Sequence, residues 1–149
     1  MVQTHQIWSK RIMAFDMQKP TTQMLGRWQP WHDGHTALFK KALLETGQVC
    51  IMVRNVGGIV GEDAGGGRTG AQTDNPFDFS TVRKNIIAGL FDAGFTYNDE
   101  YIIMQVPNIV DISYGRGVGY TFTEHDLGED IHSISATQIR EQLRSEGKL

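Results

Sequence analysis

The stretch Gly26-Arg27-Trp28-Gln29-Pro30-Trp31-His32-Asp33-Gly34-His35 decides the fold, because the sequence changes its period on passing through it. Upstream, Thr22 to Gly26 reads as a short strand. Downstream, Leu38, Phe39, Ala42 and Leu43 fall at the i, i+4 spacing of one buried helix face, and Gly47 supplies a left-handed stop. The next run, Gln48 to Arg54, is apolar until its terminal charge, as expected of a central parallel strand covered on both faces. This is a strand, helix, strand unit. A right-handed crossover places the two strands side by side and the intervening stretch at their carboxyl ends.

Farther out the alternation continues. Gly57 to Asn75 is polar and rich in glycine, with almost nothing to bury, and reads as a mobile loop that could order over bound substrates. A helix capped by Ser80 then carries Val82, Ile86, Ile87, Leu90 and Phe91 on one face and closes near Gly94. Tyr101 to Val106 makes a third strand, stopped by Pro107, and a fourth is expected around Val118 to Phe122. The last helix starts at Ser135, where Ser135 and Gln138 have capping-box spacing, and runs through Ile139 and Leu143. Residues 1–20, with Ile7, Trp8, Ile12, Met13 and Phe15 in no clean period, are expected to form an appended arm, leaving 21–149 as one domain. The fold class is therefore α/β, a Rossmann-like, mostly parallel sheet flanked by helices, with a ligand crevice beyond the carboxyl ends of its strands.

Composition narrows the function. Of 149 residues, 40% are hydrophobic and 21% charged, which suits a globular protein. The net charge of -3 argues against a general nucleic-acid binder. Cys50, the only cysteine, lies in an apolar run, so neither an internal disulfide nor a thiolate zinc cluster is available. Lys10, Arg11 and Asp16 interrupt the first twenty residues, which lack the apolar centre of a secretion signal, and no segment approaches the ~20 apolar residues that cross a bilayer. The expected setting is the cytoplasm, away from membranes. The oligomeric state stays open, a homo-oligomer included.

Two histidines separated by Asp33 and Gly34, after a strand and at the first turn of a helix, can face one crevice where amide donors are also exposed, which makes a phosphate site. Gly34 removes a side chain where backbone and ligand approach, and Pro30 stiffens the turn. Three other features carry less. Gly65-Gly66-Gly67-Arg68-Thr69-Gly70 has the spacing of a dinucleotide fingerprint, but no strand leads into it and no helix follows. Gly115-Arg116-Gly117-Val118-Gly119 reads as a turn or an acceptor-side loop, and His125 and His132, among acidic loop residues, read as solvated surface rather than a closed metal site.

The stretch from Gly26 to His35 resembles the signature of the nucleotidyltransferase superfamily, Gly-Arg-Phe-Gln-Pro-x-His-x-Gly-His, with Trp28 in place of the usual Phe. Roughly a hundred residues later, Ile134-Ser135-Ala136-Thr137-Gln138-Ile139-Arg140 is similar to a second signature, Ile-Ser-Ser-Thr-x-Ile-Arg, from which Ala136 departs. Asn75-Pro76-Phe77, followed by a helix with an early Arg83, adds a softer match to archaeal-type nicotinamide-mononucleotide adenylyltransferases. The long glycine-rich loop is unlike them.

The resemblance implies transfer of a nucleoside monophosphate, AMP from ATP, to a phosphate-bearing acceptor such as nicotinamide mononucleotide, with release of pyrophosphate. It implies that Gly26, Arg27, Trp28, Gln29 and Gly34 bind the nucleotide, and that His32 and His35 bond the triphosphate and stabilise charge on the reacting phosphoryl group. Ser135, Thr137 and Arg140 would hold the departing pyrophosphate, with Arg140 counted among the catalytic groups beside the two histidines. Arg54, Arg83 and Arg116 are candidate acceptor or phosphate contacts. Mg²⁺ is expected to arrive with the nucleotide, since no carboxylate cage is present to hold it. Two alternatives stay open within enzymes, a cytidylyltransferase and a pantetheine-phosphate adenylyltransferase. A third, of another class, is a nucleotide-sensing module without turnover.

Overall fold

The computed structural model describes residues 14–57, 75–117, 119–128 and 136–149. Three strands, β1 (Thr22–Gly26), β2 (Val49–Arg54) and β3 (Tyr101–Val106), form one parallel sheet in the order β1-β2-β3. Between them run α1 (Asp33–Thr46) and α2 (Phe79–Asp92), and α3 (Ala136–Ser145) closes the chain. The result is an α/β fold with a parallel sheet flanked by helices, compatible with a Rossmann-like architecture. No described helix is long and apolar enough to cross a membrane.

The core follows from alternation in the strands. Met24, Val49, Ile51, Val53, Tyr101 and Ile103 are buried, together with Phe39 and Ala42 from α1 and Val82, Ile86 and Leu90 from α2. Each large aliphatic side chain fully removed from water here contributes about 1.5–3 kcal/mol. Phe39 lies at the centre, edge-on to Phe95 and Tyr101 at centroid distances of 5.0 and 5.6 Å. α1 ends as expected, with Gly47 at φ 92° and its N–H on the Leu43 carbonyl.

The structure corrects the sequence reading in several places. α2 is capped by Asp78, whose carboxylate accepts from the Thr81 amide at 2.9 Å, so Ser80 lies inside the helix. Asp78 sits two positions before Ser80 with extended backbone, φ -77° and ψ 172°, the conformation an N-cap needs. Phe91 is exposed rather than part of the buried face. Residues 119–122 form no strand, and Gly119 adopts φ 86°, a left-handed conformation that interrupts extended pairing. Val118 itself, the body of the 58–74 loop with its glycine fingerprint, and His132 lie outside the described residues.

Of the expected arm, residues 1–13 lie outside the described residues, while 14–21 are fastened to the amino end of the sheet. The buried Gln48 amide does this: Nε2 donates to the Asp16 carbonyl at 2.6 Å and to Thr21 Oγ1 at 2.7 Å, and Oε1 accepts from the Asp16 amide at 3.1 Å. A second tie runs from the Phe15 amide to the Asn98 carbonyl at 2.9 Å.

Candidate functional site

The parallel register places the carboxyl ends of β1 and β2 together, with Gly26 opposite Val53. Arg27 therefore emerges beside Arg54. The two guanidiniums feel one another: Arg54 is pushed below its usual value first by burial and then by the positive charge of Arg27. Arg54 Nη2 donates to Asn108 Oδ1 at 2.8 Å, and Arg27 Nη1 to Asn75 Oδ1 at 3.3 Å. Two cations held side by side favour an anion between or above them.

Past Gly26 the chain folds sharply. Trp28 has φ 53°, a left-handed conformation rarely adopted by a bulky residue, and its buried indole donates through Nε1 to the Met52 carbonyl at 3.1 Å. A Cβ on Gly26 would sit 2.7 Å from the indole, so glycine is required for this turn. The Gln29–Pro30 peptide is cis. Trp31 bonds Thr36 Oγ1 through its indole N–H at 2.9 Å and packs on Gly89 of α2, where a side chain would approach it to 3.0 Å.

His32 and His35 then form a reciprocal cap at the start of α1. The Gly34 amide donates to His32 Nδ1 at 3.0 Å, and the His32 amide donates to His35 Nδ1 at 3.1 Å. The rings stack at 3.7 Å and 21°. Backbone N–H groups have no lone pair to offer, so each Nδ1 must be an acceptor, and each neutral ring carries its proton on Nε2. The pair thus presents two Nε2–H donors.

Burial keeps both rings neutral. His35 is lowered to about 3, by burial first and by neighbouring His32 second, and Trp28 meets it edge-on at 4.8 Å. His32 is also lowered by burial, with Asp33 pulling weakly the other way. An imidazole with Nδ1 engaged and Nε2 protonated is neither a base nor a metal ligand at Nε2; it is a hydrogen-bond donor.

The site residues separate into groups. Gly26, Arg27, Trp28, Gln29, His32, Gly34 and His35 come together in the turn, and Arg54 joins them through the sheet. Arg140 reaches the same turn from α3: its guanidinium is buried, with Nη1 donating to the Gln29 carbonyl at 2.6 Å and Nη2 to Thr137 Oγ1 at 3.2 Å. Ser135 lies outside the described residues. Arg83 is elsewhere, its guanidinium 4.8 Å above the Tyr97 ring, and Arg116 is exposed on the segment after β3.

A crevice of about 430 Å³ opens beyond the carboxyl ends of β2 and β3, lined by Gln29, Arg54, Asn55, Phe77 and Ser80 among others. Neither histidine lines it. It adjoins the turn through Gln29, and it takes in Asp78 and the first turn of α2, where the Asp78 carboxylate already holds the Thr81 amide. A second crevice of about 320 Å³ lies on the other side of Arg54, bounded by Leu25, Ile109, Val110, Asp111 and Ile112. Sequence reasoning missed the contribution of residues 76–80 and 109–112 to these walls. The only available signal was Asn75-Pro76-Phe77.

No family model matches the chain, and no curated protein or solved structure matches it.

Proposed function

We propose that this protein is a nucleotidyltransferase, with the Rossmann-like sheet as its nucleotidyltransferase-type core, that transfers AMP from ATP to a phosphate-bearing acceptor and releases pyrophosphate. The observation that carries the reading is the stacked pair of neutral imidazoles at the start of α1, both tautomerically fixed as Nε2–H donors. Neutral donors beside a helix N-terminus and the Arg27–Arg54 pair suit a triphosphate.

In the reaction, an oxygen of the acceptor phosphate attacks the α-phosphorus while the bond from that phosphorus to the pyrophosphate bridging oxygen breaks. Charge grows on the transferring and departing oxygens. Donors already oriented by the backbone meet that charge without reorganising, the situation in which a single donor is worth most. Proton abstraction is unnecessary, since the attacking phosphate is an anion near neutrality, and the histidines are built as donors rather than bases. Arg140 serves by holding the turn in shape from α3.

Mg²⁺ enters as the nucleotide complex. No group of three or more His, Cys, Asp or Glu able to hold a metal occurs among the described residues, and the histidine pair offers protonated nitrogens. Oxygen atoms of the nucleotide suit this hard ion instead.

The acceptor would occupy the 430 Å³ crevice, beside Arg54 and the first turn of α2. Nicotinamide mononucleotide is the leading acceptor. A pyrophosphate-release screen crossing ATP, CTP, GTP and UTP with nicotinamide mononucleotide, phosphopantetheine, glycerol 3-phosphate and riboflavin phosphate tests the reading. CTP turnover would point to a cytidylyltransferase, phosphopantetheine turnover to the pantetheine-phosphate enzymes, and tight nucleotide binding without turnover to a sensing module.

A further inference from the structure

Gln29 stands where three segments meet. Its side chain is buried at 4% exposure and makes a matched pair of bonds to one residue: Oε1 accepts from the Phe77 amide at 2.9 Å and Nε2 donates to the Phe77 carbonyl at 2.9 Å. Its own carbonyl receives the buried Arg140 guanidinium at 2.6 Å. Two residues before it, Arg27 bonds Asn75. Residues 75–78 belong to no helix or strand, so they lack a ladder of their own, and the Gln29 amide supplies Phe77 with the two backbone bonds a neighbouring strand would give. Yet Pro76, Phe77 and Asp78 form part of one wall of the 430 Å³ crevice, to which Gln29 also contributes.

We propose that Gln29 is a positioning residue that couples the two substrate sites: nucleotide bound at the His32–His35 turn fixes Gln29, and Gln29 fixes the 76–80 wall that receives the acceptor. The inference rests on the functional reading above. The physical basis is the shared rigidity of the turn. A phosphate held by His32, His35 and Arg27 restrains the backbone on both sides of Gln29, and Arg140 restrains its carbonyl from α3. The amide can then slide or turn only by breaking two buried bonds, each expensive to leave unmade. A wall built by this side chain is ordered more fully when the turn is ordered, and the coupling must act equally in both directions.

The test uses the full chain, the Mg²⁺ complex of α,β-methylene-ATP as a nucleotide that cannot be cleaved at the reacting bond, and nicotinamide mononucleotide as the acceptor probe. In the wild type, the nucleotide analogue alone should slow hydrogen exchange at the Phe77 amide about fivefold or more, and should tighten acceptor binding, read by calorimetry, by about tenfold. Gln29→Met keeps the length of the side chain and loses both bonds. The mutual tightening, taken within the variant as the ratio of each ligand's affinity with and without the other, should fall below about twofold. Unchanged Phe77 exchange on nucleotide binding, a measurement that needs no variant, would overturn the coupling, as would full tightening in a folded Gln29→Met protein. Failure of the analogue to bind would overturn both this inference and the functional reading. Binding and coupling without turnover of ATP would sink the transferase reading alone.

Discussion

Lowering the pH tests the histidine pair through stability, independently of any substrate. His35 is lowered in the folded protein to about 3, and in the unfolded chain it titrates near 6.5. A basic group with a depressed folded value binds its proton more readily when unfolded. Its contribution to stability is therefore complete above pH 6.5 and is lost as the pH falls toward 3. Within that window each pH unit removes up to about 1.4 kcal/mol, so roughly 2 kcal/mol should be gone by pH 5 and about 3.5 by pH 4. His32 adds to the loss in the same direction. Carboxylates titrate in the lower part of this range, so the informative quantity is the difference between wild type and His35→Asn in urea unfolding at pH 7.5, 6, 5 and 4. The variant should be less stable at pH 7.5, because the cap bond from the His32 amide is altered, and the gap should narrow or reverse by pH 4. Long-range proton–nitrogen NMR reads the cause directly, as a neutral His35 ring with its proton on Nε2 at pH 5. A His35 titrating near 6.5, or protonated on Nδ1, refutes the donor geometry.

Three further outcomes follow from single side chains. Gly26→Ala brings a methyl to 2.7 Å from the buried Trp28 indole and should lower stability by about 1–3 kcal/mol in urea melts, with a change in tryptophan fluorescence. Tyr101→Phe should raise stability by about 1 kcal/mol, because the buried Tyr101 hydroxyl has no hydrogen-bond partner among the described residues and its pKa is pushed up to about 12, chiefly by burial. Arg140→Ala removes a buried charged donor from the Gln29 carbonyl and should cost about 1.5–3 kcal/mol of stability, measured the same way.

Much of this was legible in the sequence, for identifiable reasons. The bounds of β1 and β3 followed from Pro20, the Gly26 turn and Pro107, and the buried positions of α1 from the spacing of Phe39 and Ala42. The double-histidine turn was recognisable as a strand-to-helix junction because of the pattern on either side of it. Its tautomers were not, since those depend on which amides reach Nδ1. Arg83 illustrates the other limit: a cation early in α2 has the reach for a phosphate, but Tyr97 offers its ring face and takes it. Gln48 and Gln29 looked like ordinary polar residues in or near strand ends. Their importance arises from backbone groups brought to them from residues 16–21 and from Phe77, long-range partners that no local pattern encodes.

The central claim, that His32 and His35 donate to charge developing in nucleotidyl transfer, is tested most directly by steady-state pyrophosphate release from ATP and nicotinamide mononucleotide in wild type and His35→Ala. Loss of one oriented donor should lower kcat by about 10²–10³, with a much smaller change in KM for either substrate, and His35→Asn should be milder. Near-normal kcat in a folded His35→Ala protein would contradict the account and leave the pair as a helix cap.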